Sequence, residues 1–204
     1  MNREAGDKGR QSRAEGKAAT RRQLLEAART EFMSVGYQGA TLDDIAARAG
    51  FTKGALYWHF TNKQAIFLAL IADSIDANLA TLAALVEPDA PADRIRKRMG
   101  EWIDGIDERE TLPQFGVELE IQARRNASFR AIHQAMIAKH EAALGAFLTR
   151  YFEVAEIEPL MPVSMLASTL ITIFKGFALS RRNRPDAAVT SAAAARLLMG
   201  LPLK

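Results

Sequence analysis

Thr52, Lys53 and Gly54, then Tyr57, Trp58 and His59, then Lys63 place a run of hydrogen-bond donors within twelve residues. A short helix starting after Thr52 would aim free backbone amides and the positive end of its dipole at an anion. Gly54 carries no side chain to hold a partner away, and Lys53 adds charge. Tyr57 and His59 can donate to phosphate oxygens. Lys63, at the start of the following helix, is placed to do the same. No nucleophile–base pair, phosphate-binding glycine loop or metal-ligand cluster accompanies the run, so its chemistry is binding rather than catalysis.

The elements that must position these residues are two very short helices joined by a tight glycine turn, the helix-turn-helix pattern. Thr41 can cap the first helix, with Asp44 in capping-box spacing. Leu42, Ile45, Ala46 and Ala49 form its apolar side, and Gly50 ends it. Thr52 can cap the second, whose Leu56 and Phe60 point inward. Thr61 with Gln64 repeats the capping-box spacing ahead of a long helix, about 62–86. Upstream, Leu24, Leu25, Ala28, Phe32 and Val35 follow helical steps, and Gly36 stops that helix. Residues 1–17 show no apolar periodicity and read as a disordered arm.

Pro88 and Pro91 mark a loop. Helices are expected beyond it at about 92–107, 112–125, 128–153, 162–182 and 186–199. No strand-like alternation and no internal repeat is present. The fold class is all-α, with a small N-terminal bundle and a larger C-terminal one.

Composition narrows the function further. The 204 residues include no cysteine, which removes disulfide scaffolds, thiolate metal sites and cysteine nucleophiles together. Three histidines leave little room for a metal, and no cofactor is expected. The first 22 residues are polar and lack the apolar core of a secretory leader. Leu160–Phe174 carries no charge, yet it includes Pro162, Ser164, Ser168, Thr169 and Thr172, so a buried helix is expected rather than a membrane span. Net charge is +3 and uneven: residues 1–63 carry +4 and residues 64–204 carry −1. A basic N-terminal part suits a polyanion.

The stretches Thr41–Ala46 and Gly50–Lys63 resemble the DNA-binding domain of the TetR/AcrR family of transcriptional regulators. The Trp58–His59–Phe60 version is similar to the drug-efflux regulators of that family. The resemblance covers about 18–78, with the motif at 41–60. It implies that Thr41 caps its helix against a phosphate and that Thr52, Lys53, Gly54, Ala55 and Tyr57 face DNA. The resemblance also implies that His59 and Lys63 clamp the backbone; Trp58, read by itself, is a base contact or a surface aromatic, with packing on the helix or a phosphate contact favoured. Phe51 departs from the smaller aliphatic residue usual in the turn. Residues 79–204 are then the ligand-binding and dimerisation domain, and the protein is cytoplasmic.

In that domain Met99, Trp102, Phe115, Met136 and Phe174 are candidate lining of an apolar cavity between helices, and Glu118 a candidate for orienting a cationic ligand. His133 and His140 are seven apart, against the i, i+4 spacing of a helical metal pair. The helix at 162–182 is apolar nearly all round and needs cover on more than one side. A second copy of the chain supplies it through Leu166, Leu170 and Phe177, with Val189 and Leu197 from the last helix. The resemblance implies the same four-helix interface.

The expected function is a homodimeric repressor that binds double-stranded operator DNA and is released by a small, mostly apolar effector. The alternatives are a constitutive DNA binder and a protein-interaction module whose helix-turn-helix no longer meets DNA. Lys53, Tyr57, His59 and Lys63 argue against the last.

Overall fold

The computed structural model describes residues 3–87, 89–106, 111–180 and 190–203, and every regular element among them is helical. The helices are α1 (Arg3–Gly39), α2 (Leu42–Arg48), α3 (Lys53–His59), α4 (Lys63–Leu85), α5 (Ala92–Asp104), α6 (Thr111–Arg125), α7 (Ala127–Ala155), α8 (Val163–Ser180) and α9 (Ser191–Leu198). They form two compact units, Met1–Ala72 and Asp73–Lys204. Helix α4 carries the chain from one to the other.

In the first unit, Leu24, Leu25, Ala28 and Phe32 of α1 are buried as their spacing requires. They share the core with Ile45, Leu56, Phe60, Ile66, Phe67 and Leu70. Phe32, Tyr37 and Phe67 form an aromatic cluster, with Phe32 edge-on to Phe67 at 5.1 Å and Tyr37 at 4.9 Å from Phe67. Gly36 interrupts α1 at φ +72°. Val35, one residue before that break, is 50% exposed and does not join the core.

Residues 3–17, expected as a disordered arm, are helical and continuous with the rest of α1. The apolar periodicity that betrays an amphipathic helix is absent there. Helicity in that stretch follows from its Ala, Glu, Lys and Arg content and from propagation out of the packed turns.

In the second unit, α5 puts Ile95, Met99 and Ile103 into the core at steps of four. They meet Leu148, Tyr151 and Phe152 of α7, Leu166, Ala167 and Leu170 of α8, and Ala195 of α9. Asn126 caps α7 by accepting from the Ser128 amide, and Thr190 caps α9 by accepting from the Ala193 amide. Residues 105, 106 and 190, expected as helix, are not part of α5 or α9, while 107, 181–182 and 186–189 lie outside the described residues. Helices α4 and α8 are long and apolar enough to cross a membrane by length and composition. Their buried faces are built into the two cores instead.

Candidate nucleic-acid interface

The turn between α2 and α3 is set by hydrogen bonding at one glycine. Gly50 takes φ +74°, the left-handed region that side chains resist. Its amide donates to the Ala47 carbonyl at 3.1 Å, and the Phe51 amide donates to the Ala46 carbonyl at 2.9 Å. Phe51 is half-buried beside this closure. Thr41 Oγ1 accepts from the Asp44 amide and donates to the Asp44 carboxylate at 2.6 Å. Thr52 Oγ1 accepts from the Ala55 amide at 3.2 Å. Ahead of α4 the cap is one residue later than expected: Asn62 Oδ1, not Thr61, accepts from the Ala65 amide at 2.8 Å.

These caps leave α3 with two distinct sides. Leu56 and Phe60 are buried. Thr52, Lys53 and Gly54 are exposed, Ala55 and His59 half-buried, and Tyr57 and Trp58 exposed. The Trp58 ring is 65% exposed, too open for a core side chain.

The basic groups of residues 23–63 are already engaged. Lys53 Nζ lies 2.8 and 2.9 Å from the two oxygens of Asp43, whose hydrogen bond and charge hold its pKa above the ordinary lysine value. Arg48 binds Glu31 at 3.0 Å and Arg29 binds Glu26 at 3.4 Å. Lys63 Nζ donates to the carbonyls of Gln38 at 3.2 Å and Ala40 at 3.0 Å, and stands 4.7 Å from the Tyr37 ring centre. Burial pushes its pKa down. Lys63 was expected to clamp DNA, and it first braces the end of α1. Two of its three donors are used there.

Two residues that motif spacing did not single out stand at the far end of α3. Lys17 Nζ is 4.3 Å from the Trp58 ring centre, and the Arg21 guanidinium is 5.4 Å from that of Phe60. Between them, His59 meets Trp58 edge-on at 4.9 Å. Burial, then the charges of Lys17 and Arg21, hold His59 below the ordinary histidine pKa. The i, i+4 spacing of Lys17 and Arg21 was visible in the sequence, but nothing local said which helix they would meet.

Residues 24–70, which contain α2, α3 and Lys63 but not Lys17 or Arg21, match the family described as bacterial regulatory proteins, tetR family. That match, with the relatives that follow, supports a regulator of the TetR/AcrR family. It is 29% identical over 178 residues to the transcriptional repressor AcnR of Corynebacterium glutamicum, covering 85% of this chain and 83% of that protein. It is 43% identical over 74 residues to the regulator TtgR of Pseudomonas putida, covering 36% and 35% of the two chains. Among solved structures, FadR of Bacillus subtilis, captured with stearoyl-CoA, superposes with a TM-score of 0.64 at 17% identity, covering 87% of this chain and 95% of that one. Its likeness extends the shared fold through the C-terminal unit. These relatives are regulators of transcription, not enzymes.

In the C-terminal unit, the expected lining residues are spread over α5, α6, α7 and α8. Met99, Trp102 and Phe174 belong to a single core. Met99 at 1% and Phe115 at 2% exposed are packed interior. Met136 is half-buried on α7, and Glu118 accepts from the Gln122 amide group at 2.8 Å. Glu120 instead binds Lys175 Nζ at 3.0 Å and lies 3.6 Å from His133 Nε2. Its pKa is lowered, chiefly by the Lys175 hydrogen bond.

Two of the expected interface residues are corrected. Leu166 at 0% and Leu170 at 5% exposed are covered by this chain's own core, so they cannot meet a second copy. Phe177 is half-buried, Leu197 is 57% exposed, and Val189 lies outside the described residues. The exposed apolar positions of α8 are Met165 and Leu179, at 59% and 62%.

Proposed function

We propose that this chain is a dimeric repressor that holds operator DNA through α3 and releases it when a small, mostly apolar effector occupies the C-terminal unit. The observation that carries the reading is the two-sidedness of α3. Leu56 and Phe60 anchor it, while Thr52, Lys53, Gly54, Tyr57 and Trp58 remain open to a groove. Lys53 reaches a phosphate by exchanging Asp43 for it. Both partners are more than half exposed, so the exchange costs little. Thr41, Ala55, His59 and Lys63 complete the contact set.

The effector reading is supported by FadR, captured with stearoyl-CoA on the same fold, and its candidate lining here is Met99, Trp102 and Phe174. Phe115, Glu118 and Met136 are secondary candidates. Dimerisation is supported by Met165, Leu179 and Leu197, which leave apolar surface on α8 and α9. A chromosome-bound regulator works in the cytoplasm.

Selection of duplexes from a random pool, followed by titration of the winners with apolar compounds, tests the reading. The expected result is one enriched, twofold-related sequence whose complex dissociates with effector. Failure to enrich any sequence overturns operator binding. Enrichment without release by any compound leaves a constitutive DNA binder.

A further inference from the structure

The helix-turn-helix proper carries no net charge. Residues 23–63 hold four Lys/Arg and four Asp/Glu. Arg29, Arg48 and Lys53 are paired with Glu26, Glu31 and Asp43, and Lys63 is bound to carbonyls. The whole surplus of +4 lies in residues 1–22, which hold seven Lys/Arg and three Asp/Glu.

That surplus is patterned along the sequence. Arg3, Arg10, Arg13, Lys17 and Arg21 follow one another at steps of seven, three, four and four. On a helix these positions fall within an arc of about 80°. Glu4, Asp7 and Glu15 fall outside it, as do Lys8 and Arg22. The backbone from Arg3 onward is helical and continuous with α1. The two members of the row nearest the core, Lys17 and Arg21, stand against Trp58 and Phe60 at the end of α3. The row therefore starts beside the helix read as entering the groove. From Arg3 to Arg21 it spans about 27 Å.

Resting on the DNA-binding reading above, we infer that the N-terminal half of α1 is a second DNA-binding element whose basic row follows the phosphate backbone. It supplies most of the sequence-independent attraction that the neutral helix-turn-helix lacks. Phosphate contacts position a protein without reading sequence. Gly6, Gly9 and Gly16 weaken this helix by about 1 kcal/mol each relative to Ala, so a partner lying along it also steadies it.

The test compares two variants of the full-length protein with equal charge loss: Arg13→Gln with Lys17→Gln on the row, and Lys8→Gln with Arg22→Gln off it. Arg21 is kept because its guanidinium packs over Phe60. The probe is a 40-base-pair duplex of random sequence, titrated between 50 and 200 mM salt. Each lost phosphate contact lowers the salt slope by about 0.9. The on-row variant then loses about 1.8 per chain, so its affinity falls roughly 10-fold less across that salt range than the wild type's. The off-row variant keeps the wild-type slope. Equal losses in both variants overturn the row in favour of diffuse attraction. No loss in either, or no binding by the wild type at 50 mM salt, overturns the element altogether. Enrichment of a specific sequence in the random-pool selection is a separate readout. It can succeed while the row fails, or fail while the row is upheld.

Discussion

Arg196 of α9 grips both carboxylate oxygens of Asp104 at the end of α5, Nε to Oδ1 at 2.7 Å and Nη2 to Oδ2 at 2.8 Å. The same guanidinium donates to the carbonyls of Pro202 at 2.8 Å and Gly100 at 3.3 Å. Its side chain is 8% exposed, so the charge sits in the interior with every hydrogen bond aimed. One residue ties α5 to α9 and to the tail beyond.

Removing only the carboxylate leaves a buried guanidinium short of its counter-charge. Asp104→Ala should cost about 3 kcal/mol, the low end for breaking a buried pair because Asp104 itself is partly open to water. Urea unfolding at pH 7 measures it. A loss under about 1 kcal/mol shows that the two carbonyls hold Arg196 without help.

A second tie lies at Gly200. It takes φ +69°, and a Cβ there would fall 2.6 Å from Ile157 Cγ2. Gly200→Ala therefore meets both backbone strain and a clash, together about 2–4 kcal/mol. Ile157→Ala should relieve part of that cost when combined with it. Additive losses in the double variant would remove the clash from the account. Glu156, a non-glycine at φ 55°, is the counterpart at the end of α7. Glu156→Gly should stabilise by about 0.5–1 kcal/mol.

Which of these features the sequence discloses depends on how local their causes are. Thr41, Gly50 and Thr52 act on neighbours within five residues, and their roles are legible from spacing alone. Thr61 and Asn62 are adjacent capping types, and only geometry selects Asn62. Lys63 holds carbonyls 25 and 23 residues upstream, a relation that no local pattern encodes. Helix α8 fails differently. Because it is apolar nearly all round, its sequence does not say which face serves its own core. Nothing in that pattern separates Leu166 and Leu170, which face the core, from Met165 and Leu179, which face outward. In the arm, helicity has no apolar stripe to announce it.

Lys63 should affect stability as well as DNA. Lys63→Met removes the donor to the Gln38 and Ala40 carbonyls and should lower stability by about 1 kcal/mol. Its third donor sets a ceiling on the DNA effect, a salt-slope loss of about 0.9 per chain. Unfolding and salt titrations on the same preparation separate the two. An unchanged melt with a reduced slope would show that the carbonyl contacts carry no weight.

The three histidines predict how stability follows pH. Burial is the first cause of the lowered pKa at His59, His133 and His140. Lys175 pushes His133 and His140 further down, against Glu120 and Glu141 respectively. The unfolded chain, with histidines near 6.5, then binds more protons than the folded one between the lowered values and about 6.5. Stability is full above that window and is lost as pH falls through it. Urea midpoints at pH 7.5 and 5.5 should show the decline, and His140→Gln should flatten it. A midpoint that rises toward pH 5.5 contradicts the burial of these rings.

The last prediction concerns assembly. Met165 and Leu179 on α8 and Leu197 on α9 are all more than half exposed, and each is a large apolar side chain that water does not favour. Met165 and Leu179 are fourteen residues apart, close to four full helical turns, so they share one face of α8. A twofold contact between copies would use that face on both chains at once. Leu179→Asp places a carboxylate on each side of it, where the two repel and neither is solvated. Leu166→Ala instead opens a cavity in the core, at about 2–5 kcal/mol, without touching the surface. Sedimentation at micromolar concentration should therefore show dimers for the wild type and for Leu166→Ala, the latter with a lowered melt. Leu179→Asp should give folded monomers. Wild-type monomers, or dimers that survive Leu179→Asp, would place the partner elsewhere.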